Sequence, residues 1–374
     1  MLDLNEYLKT LEEIVNIESH SRMPDGTKNV AKFLDTKFKS LGWNTELIDI
    51  GSNVGPCLKV TNKEEEKYDI LLLGHMDTVF PAGTVAERPF SIKDGKFTGP
   101  GASDMKAGVL YMYYLAKALS DNNLTDKGSI CLLFNPDEEI SSIASRPVIE
   151  HIAKNSSNAL ILESARANGA LVNCRKGIAK YRITFNGIAA HAGVDPDSGA
   201  SAINEFVKWA QEIIKLADKE KGTTVNIGVI NGGTGANVVA EKAVCDIDVR
   251  LTDIAEGNRV DSKLKELQAN PFDQRVKVDI TGGILRPPFN ASDKSLQLCR
   301  LVDSIAEKLG IDIKWVATGG GSDGNFTAAL GVPTIDGLGP IGGGAHSERE
   351  YGEIDSIIPR FNLLFETVKT LLQK

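Results

Sequence analysis

The order in which helical and extended patterns follow one another constrains the fold of this 374-residue chain most strongly. Up to about residue 175, helix-like periodicities alternate with short apolar runs, which is typical of an α/β domain. From residue 177 to 286 the order becomes strand, helix, strand, strand, helix, strand, as in a small ferredoxin-like unit. We therefore predict an α/β fold with a mostly parallel mixed sheet, formed by residues 1–176 and 287–374, and a separate α+β domain inserted at 177–286.

The individual segments behind this prediction differ in length and in apolar period. Strands are predicted at 57–61, 68–74, 130–134, 159–163, 179–186, 223–230, 238–251 and 275–281. Helices are predicted near 3–16, 27–41, 105–119, 200–217, 256–268, 293–309 and 356–372. Chemically active side chains fall at the ends of several of these strands.

Composition excludes several classes of partner and location. The net charge is −8 and no long Lys/Arg run occurs, so neither nucleic acid nor an anionic membrane is an expected partner. No stretch approaches the ~18 apolar residues of a membrane span, and the opening MLDLNEYLKTLEEIV lacks the basic and apolar regions of a secretory signal. The five cysteines are scattered without a CxxC pair, which favours free thiols. We expect a cytoplasmic protein.

The first acidic and histidine residues of interest follow an apolar run. His75 and Asp77 end the segment LLLGHMD, as expected where a buried parallel strand delivers side chains to a crevice. Asp104 follows a Gly-Pro-Gly turn and precedes the apolar segment 109–119, which predicts a carboxylate at a helix N-terminus. These three residues are candidates for one side of a metal site.

Further candidate ligands occur later in the chain. Glu138 and Glu139 follow the apolar run ICLLF, and His346 lies in the glycine-rich segment GGGAHSERE. Imidazole nitrogens and carboxylate oxygens without thiolate suit zinc best, with cobalt or manganese as substitutes. The set predicts a two-metal hydrolase.

Amide hydrolysis near neutral pH needs a strong nucleophile, a charge sink for the oxyanion and a group that moves a proton. Two metal ions supply the first two. Side chains of neighbouring residues on an extended segment diverge, so one of Glu138 and Glu139 is expected to bind metal while the other faces the attacking water. Asp77 fits the carboxylate that fixes the tautomer of a metal-binding imidazole.

The order and spacing of the motifs resemble the M20 family of dinuclear zinc amidohydrolases, especially its glutamate carboxypeptidase branch, over nearly the whole chain. The motifs that carry the resemblance are HMDTVF at 75–80, GPGASDMKAG at 99–108, NPDEEISS at 135–142, ILESAR around Glu163, HAG at 191–193, GGTGANVV at 232–239, RPPFN at 286–290, GGGSDGNF at 319–326 and AHSEREY at 345–351. One small departure is Ala107, where the family often has glycine.

The resemblance implies a zinc-exopeptidase-like catalytic domain, with the insert acting as a dimerisation or lid domain. It also implies two zinc ions per subunit, Glu138 as the general base and Asp77 as the partner of His75. One zinc is then held by His75, Asp104 and Glu163, and the other by Asp104, Glu139 and His346, so that Asp104 bridges them.

Four further residues are candidates for substrate contacts. Arg286, at the seam between domains, offers a fork of donors to a carboxylate, or covers a hinge. Arg250 is expected either to bind substrate or to have a structural role. Asn237 is expected either to bind an oxyanion or a carboxylate, or to cap a turn. His191 is either a surface histidine or, as the resemblance implies, reaches the active site of a partner subunit and stabilises the oxyanion.

The sequence therefore predicts a homodimeric hydrolase of a small peptide or N-acyl amino acid that releases a C-terminal amino acid, with glutamate as the first candidate. An N-acyl amino acid deacylase, such as an acetylornithine deacetylase or succinyl-diaminopimelate desuccinylase, is the alternative with the same chemistry. A non-catalytic, metal-stabilised binding protein is the alternative from another class.

Overall fold

The computed structural model describes residues 2–373, which form two compact units. The larger unit comprises the chain up to Cys174 together with Asn290–Thr318 and the segment from Ser322 onward. The inserted unit comprises Arg175–Phe289 and Gly319–Gly321. The inserted unit thus begins and ends within three residues of positions 177 and 286.

The helices and the strands are each numbered in chain order. The helices are α1 (Leu4–Val15), α2 (Pro24–Ser40), α3 (Thr84–Glu87), α4 (Ala107–Asp121), α5 (Arg146–Lys154), α6 (Ala202–Ile214), α7 (Ile254–Ala269), α8 (Asp293–Leu309), α9 (Gly324–Ala329) and α10 (Ile354–Leu371). The strands are β1 (Asn44–Ile48), β2 (Cys57–Thr61), β3 (Ile70–His75), β4 (Ser91–Lys93), β5 (Lys96–Thr98), β6 (Ile130–Asn135), β7 (Ala159–Ile161), β8 (Leu171–Arg175), β9 (Gly177–Asn186), β10 (Thr224–Gly232), β11 (Lys242–Leu251), β12 (Lys277–Arg286), β13 (Trp315–Thr318), β14 (Thr334–Ile335), β15 (Gly342–Gly343) and β16 (Tyr351–Glu353).

A six-stranded mixed sheet in the order β1-β2-β6-β3-β7-β14 organises the larger unit. The four strands β6, β3, β7 and β14 run parallel to one another. Strand β2 runs antiparallel to its neighbour β6, and β1 runs antiparallel to β2. Every residue of β3 and β6 is buried, because alternate side chains of each strand enter separate apolar clusters on the two faces of the sheet. His75 and Asn135 are register partners at the carboxyl ends of β3 and β6.

The inserted unit contains an antiparallel sheet in the order β10-β11-β9-β12. Alternate residues of its strands pack against α6 and α7, with Trp209 and Phe185 in the centre of this second core. The other face of the sheet carries charged side chains, including the exposed ion pair of Arg182 with Asp246. The observed order of elements is the predicted βαββαβ.

A small sheet that the sequence pattern did not predict joins distant segments of the larger unit. Its order is β15-β16-β5-β4, and β16 pairs with β5 so that Gly352 lies opposite Phe97. A Cβ atom at Gly352 would lie 2.0 Å from the Phe97 ring, so only glycine permits this approach. The pairing fixes the segment that follows His346 against the segment that precedes Asp104.

Among residues 2–373, no helix combines the length and the apolar character that a membrane span requires.

Candidate metal centre and substrate residues

The end of β3 places a buried histidine beside a buried aspartate. The side chain of His75 is 1% exposed and that of Asp77 is not exposed. The Nδ1 atom of His75 lies 2.9 Å from the main-chain oxygen of Asp77 and 3.3 Å from its Oδ1 atom. This orients Nε2 of His75 away from Asp77, as expected for an imidazole whose second nitrogen binds a metal.

Asp104 lies between two histidines. Its Oδ1 atom is 3.1 Å from Nε2 of His75, and its Oδ2 atom is 3.3 Å from Nε2 of His346. The predicted position at a helix N-terminus is wrong in detail, because Asp104 adopts the non-helical angles φ −115° and ψ 90° and α4 begins at Ala107. The kink directs each carboxylate oxygen toward a different histidine.

The two remaining predicted ligands complete the cluster. Nε2 of His346 lies 3.0 Å from Oε2 of Glu139, and Nε2 of His75 lies 3.8 Å from Oε1 of Glu163. Potential ligand atoms of His75, Asp104 and Glu139 all lie within 4.8 Å of one another. The five residues that were predicted to bind metal therefore meet in one place.

Glu138 and Glu139 occupy a 3-10 turn and not the extended segment expected from the sequence. The turn forms because the carboxylate of Asp77 accepts hydrogen bonds from both main-chain N–H groups, at 3.1 Å from Glu138 and 3.2 Å from Glu139. Neighbouring side chains on such a turn still point in different directions. Asp77 thus holds both His75 and the glutamate pair.

The electrostatics of this cluster fit a cation. Burial raises the pKa of Glu163 well above its ordinary value, and Asp104 raises it further. Burial opposes ionisation of Asp104, yet hydrogen bonds from His346 and His75 hold the pKa of Asp104 below its ordinary value. Hydrogen bonds with Asp104 and Glu139 raise the pKa of His346 to about 11. Carboxylates crowded in this way need positive charge, which zinc supplies to an N/O donor set of this kind.

One contact of this centre involves a residue that sequence analysis missed. The hydroxyl of Ser21 is buried and donates a 2.6 Å hydrogen bond to Oδ2 of Asp77. Ser21 lies in the segment ESHSRMP, where no spacing or apolar period distinguishes it from nearby polar residues. Ser21 therefore supports the orientation of Asp77 by donating to the same carboxylate oxygen that accepts the N–H of Glu139.

Two predicted substrate residues lie at one end of the inserted sheet. Arg250 and Arg286 are both register partners of Ile178, on the two strands that flank β9. Arg286 is 2% exposed, and its Cδ atom lies close to Gly321. Arg250 is half-buried, is paired in two-point fashion with Asp248 at 2.8 and 3.1 Å, and donates to the carbonyl of Gly319.

The other two predicted substrate residues lie at the opposite end of that sheet. His191 and Asn237 are exposed, and their segments pair beyond the strand ends, with the N–H of Ala192 donating to the carbonyl of Asn237 at 2.9 Å. The Nδ1 atom of His191 accepts a hydrogen bond from the N–H of Gly193 at 3.2 Å, so Nε2 carries the proton of the neutral ring and is its donor. The structure thus brings His191 and Asn237 together and keeps them apart from the two arginines.

Comparison with known proteins assigns a family. The family described as peptidase family M20/M25/M40 matches residues 71–370. Carboxypeptidase G2 of Pseudomonas sp. (strain RS-16) is 32% identical over 365 residues, which cover 94% of this chain and 86% of that protein. Succinyl-diaminopimelate desuccinylase of Janthinobacterium sp. (strain Marseille) is 26% identical, covering 81% of this chain and 84% of that protein.

A solved structure agrees with this assignment. The aminopeptidase PepT of Bacillus cereus ATCC 10987 has a TM-score of 0.82 and 25% identity, with 99% of each chain covered. The α/β fold and the family expected from the motifs are therefore confirmed. The chain belongs to the M20 peptidase family and is an enzyme of its metallopeptidase and amidohydrolase group.

Proposed function

We propose that this protein is a dinuclear zinc-dependent amide hydrolase that releases a C-terminal amino acid with a free carboxylate, with glutamate as the first candidate. The observation that carries the proposal is the carboxylate of Asp104, whose two oxygens face Nε2 of His75 and Nε2 of His346 respectively. A carboxylate placed in this way is suited to joining two metal positions, which a single-metal site does not require.

The roles of the chain's own residues follow from this arrangement. The two ions are assigned to the sets His75, Asp104, Glu163 and Asp104, Glu139, His346. Zinc, when bound, polarises the scissile carbonyl and makes water more acidic. Glu138 would take the proton from the attacking water and return it to the leaving amine. Asp77 would keep the His75 tautomer and the glutamate turn fixed throughout.

Two features support Arg286 and Arg250 as the groups that bind the substrate carboxylate. Both guanidinium groups lie at the same end of the inserted sheet, and a planar fork of donors matches a carboxylate. Arg250 is partly exposed but engaged by Asp248, whereas Arg286 is buried. We assign the α-carboxylate of the substrate to Arg286. Because Arg286 is buried, neighbouring groups would have to move before the carboxylate could reach it.

We further propose a homodimer in which His191 acts across the interface. From Ile178 to Asn186 strand β9 extends over roughly 25 Å, so His191 at one end and Arg286 at the other are too far apart to contact one small substrate within a single chain. If both contact the same substrate, they must come from different subunits. Asn237, beside His191, would then also serve the partner's site.

The inserted unit offers a surface for this pairing. Strand β10 is an edge of its sheet, and its side chains Val229 and Ile230 are 46% and 48% exposed. Ile203 and Val207 on the adjacent α6 are also exposed. Unpaired edge groups beside exposed apolar side chains are suited to association around a two-fold axis.

The same metal centre would serve an N-acyl amino acid deacylase, and two observations keep that candidate open. A desuccinylase is among the similar proteins, and the predicted metal residues do not distinguish a peptide from an acyl group. The third possibility is a non-catalytic binding protein. The presence of Glu138 argues against it, because this residue is not a metal ligand in the scheme and a binding protein would not need it. A cytoplasmic location stays a prediction.

A panel of amides tests the proposed function. We expect the zinc-loaded protein to hydrolyse aroyl-glutamates or dipeptides in preference to N-acetyl and N-succinyl amino acids. The matched control is each peptide with its C-terminal carboxylate amidated, which should be a poor substrate. Preference for the N-acyl amino acids would replace the proposal with the deacylase, and equal rates on amidated peptides would exclude carboxylate recognition.

A further inference from the structure

A buried glutamate four residues after His346 contacts the main chain of the segment that carries Asp104. The side chain of Glu350 is not exposed. Its Oε1 atom accepts hydrogen bonds from the N–H groups of Ser103 at 2.8 Å and Asp104 at 3.0 Å, and its Oε2 atom accepts one from Gly101 at 3.3 Å. Neither the spacing of ligands nor the apolar pattern assigns a role to this residue.

The turn at Asp104 needs such an acceptor. Because Asp104 and Met105 have non-helical angles, the N–H groups ahead of α4 are not oriented as in a regular first turn. Buried N–H groups without acceptors destabilise a fold, and a carboxylate that accepts several of them fixes their geometry strongly. Glu350 therefore stabilises the kink that aims the two oxygens of Asp104 at different histidines.

The segment that carries Glu350 is itself held in place. Directly after Glu350, Tyr351 pairs with Thr98 and Gly352 pairs with Phe97 in the small sheet. The main-chain N–H of Glu350 also donates to the carbonyl of Ser347 at 3.1 Å. Glu350 thus connects a fixed point of the His346 segment to the turn at Asp104.

The Glu163 segment also contacts this turn. The hydroxyl of Ser164 donates to the carbonyl of Ser103, and its oxygen lies 2.9 Å from Oγ of Ser103. Segments carrying three predicted ligands therefore meet at the main chain of Ser103 and Asp104. A change in Glu350 would be felt at both metal positions, because Asp104 belongs to both.

We propose that Glu350 is a positioning residue that fixes Asp104 relative to His346, so that binding of both metal ions depends on it. This inference rests on the proposed two-metal function. Loss of Glu350 should therefore weaken the binding of both ions, whereas loss of His346, which is assigned to one ion, should affect that ion only.

Metal affinity of Glu350→Gln tests the inference. Glutamine keeps the shape and one carbonyl oxygen, but it removes the negative charge and places an NH2 group against an N–H donor. We expect both ions to bind ~10–100-fold more weakly, as for other groups that orient metal ligands. Chelator competition gives both affinities, and the visible absorption of the cobalt-loaded protein should change because the ligand geometry changes.

Glu348→Gln is the matched control, since Glu348 is exposed and lies two residues away. It should bind both ions as the wild type does. His346→Ala should lose one ion and keep the other. Ser164→Ala, which releases the same turn from the Glu163 side, should weaken both ions by less than ~10-fold.

The outcomes separate this inference from the proposed function. Two tightly bound ions and an unchanged cobalt spectrum in Glu350→Gln would overturn the inference and leave the two-metal function intact. A wild-type chain that binds no metal would remove both. If Glu350→Gln did not fold, chelator competition on Glu350→Asp, which keeps the charge but withdraws the carboxylate from the turn, would decide: unchanged affinities for both ions would overturn the inference, and weakening of both would support it.

Discussion

The two units hold their predicted functional residues in different ways. In the larger unit the predicted ligands meet around Asp104, and the carboxylates of Asp77 and Glu350 accept hydrogen bonds from the main-chain N–H groups of the turns that carry the ligands. In the inserted unit His191 is exposed on a loop and lies at the opposite end of the sheet from Arg286. In the proposed function, the metal centre would be complete within one chain, whereas the substrate groups of the insert would be complete only in a dimer.

The largest expected effect concerns proton transfer in the larger unit. Glu138→Gln keeps the shape of the side chain and both metal ions but removes the base, so kcat should fall ~10²–10⁴-fold. Steady-state kinetics and metal analysis on the same preparation measure this. Glu139→Gln is the matched neighbour and should instead lose metal. The assignment within the pair fails if the two variants match in both metal content and rate.

The next largest effect tests whether the insert acts across an interface. His191→Ala should lower kcat ~10²–10³-fold, the usual loss for one oxyanion donor, without loss of metal. His191→Ala and Glu138→Gln are then unfolded together, remixed and refolded. About half of the dimers should be mixed and one of their two sites intact, so about a quarter of wild-type activity should return.

Two controls accompany this mixing experiment. Each inactive variant refolded alone should stay inactive, and mass measurement should show that subunits have exchanged. Exchange without recovered activity would place His191 outside the partner's active site.

A smaller effect is expected at the arginine end of the insert. Arg286→Ala should lower kcat/KM about 10–100-fold on substrates with a free α-carboxylate, because hydrogen bonds to a charged group contribute about 1.5–3 kcal/mol. Arg250→Ala should have a smaller effect, since Asp248 already engages that guanidinium. An equal loss from Arg286→Ala on amidated substrates would make the residue structural.

The smallest expected effect concerns Ser21. Ser21→Ala removes one hydrogen bond to Asp77, so metal affinity should fall roughly 5-fold, which corresponds to about 1 kcal/mol. Ser19→Ala is a close control, because Ser19 is also buried but its hydroxyl has no hydrogen-bond partner among the described residues. Competition with a metal chelator should separate the two variants, and equal affinities would remove Ser21 from the support of the centre.

Much of this arrangement could be predicted from the sequence because it depends on regular local patterns. Apolar runs predicted β3 and β6 with candidate ligands at their ends, and the structure makes the two strands parallel neighbours, so His75 and the glutamate pair lie at one edge of the sheet. The inserted unit was equally regular, with long alternating strands. The motifs added the order of the ligands along the chain.

The rest depends on contacts between distant segments, which leave no local pattern. The turn at Glu138 is set by the carboxylate of Asp77, some sixty residues earlier, and not by its own sequence. Glu350 is one of several acidic residues near His346, and it is buried where its carboxylate meets the distant turn of Ser103 and Asp104. Strands of two or three residues give no apolar period, so the small sheet could not be predicted either.

The central claim is that Asp104 joins two metal positions within one chain. The most direct test of this claim is the metal stoichiometry. Elemental analysis of folded, zinc-supplemented protein should give about two ions per chain for the wild type and about one for His346→Ala. Asp104→Ala should hold none, because it removes a ligand from both positions. A fully active wild type with a single ion, or an Asp104→Ala variant that retains one, would contradict the account.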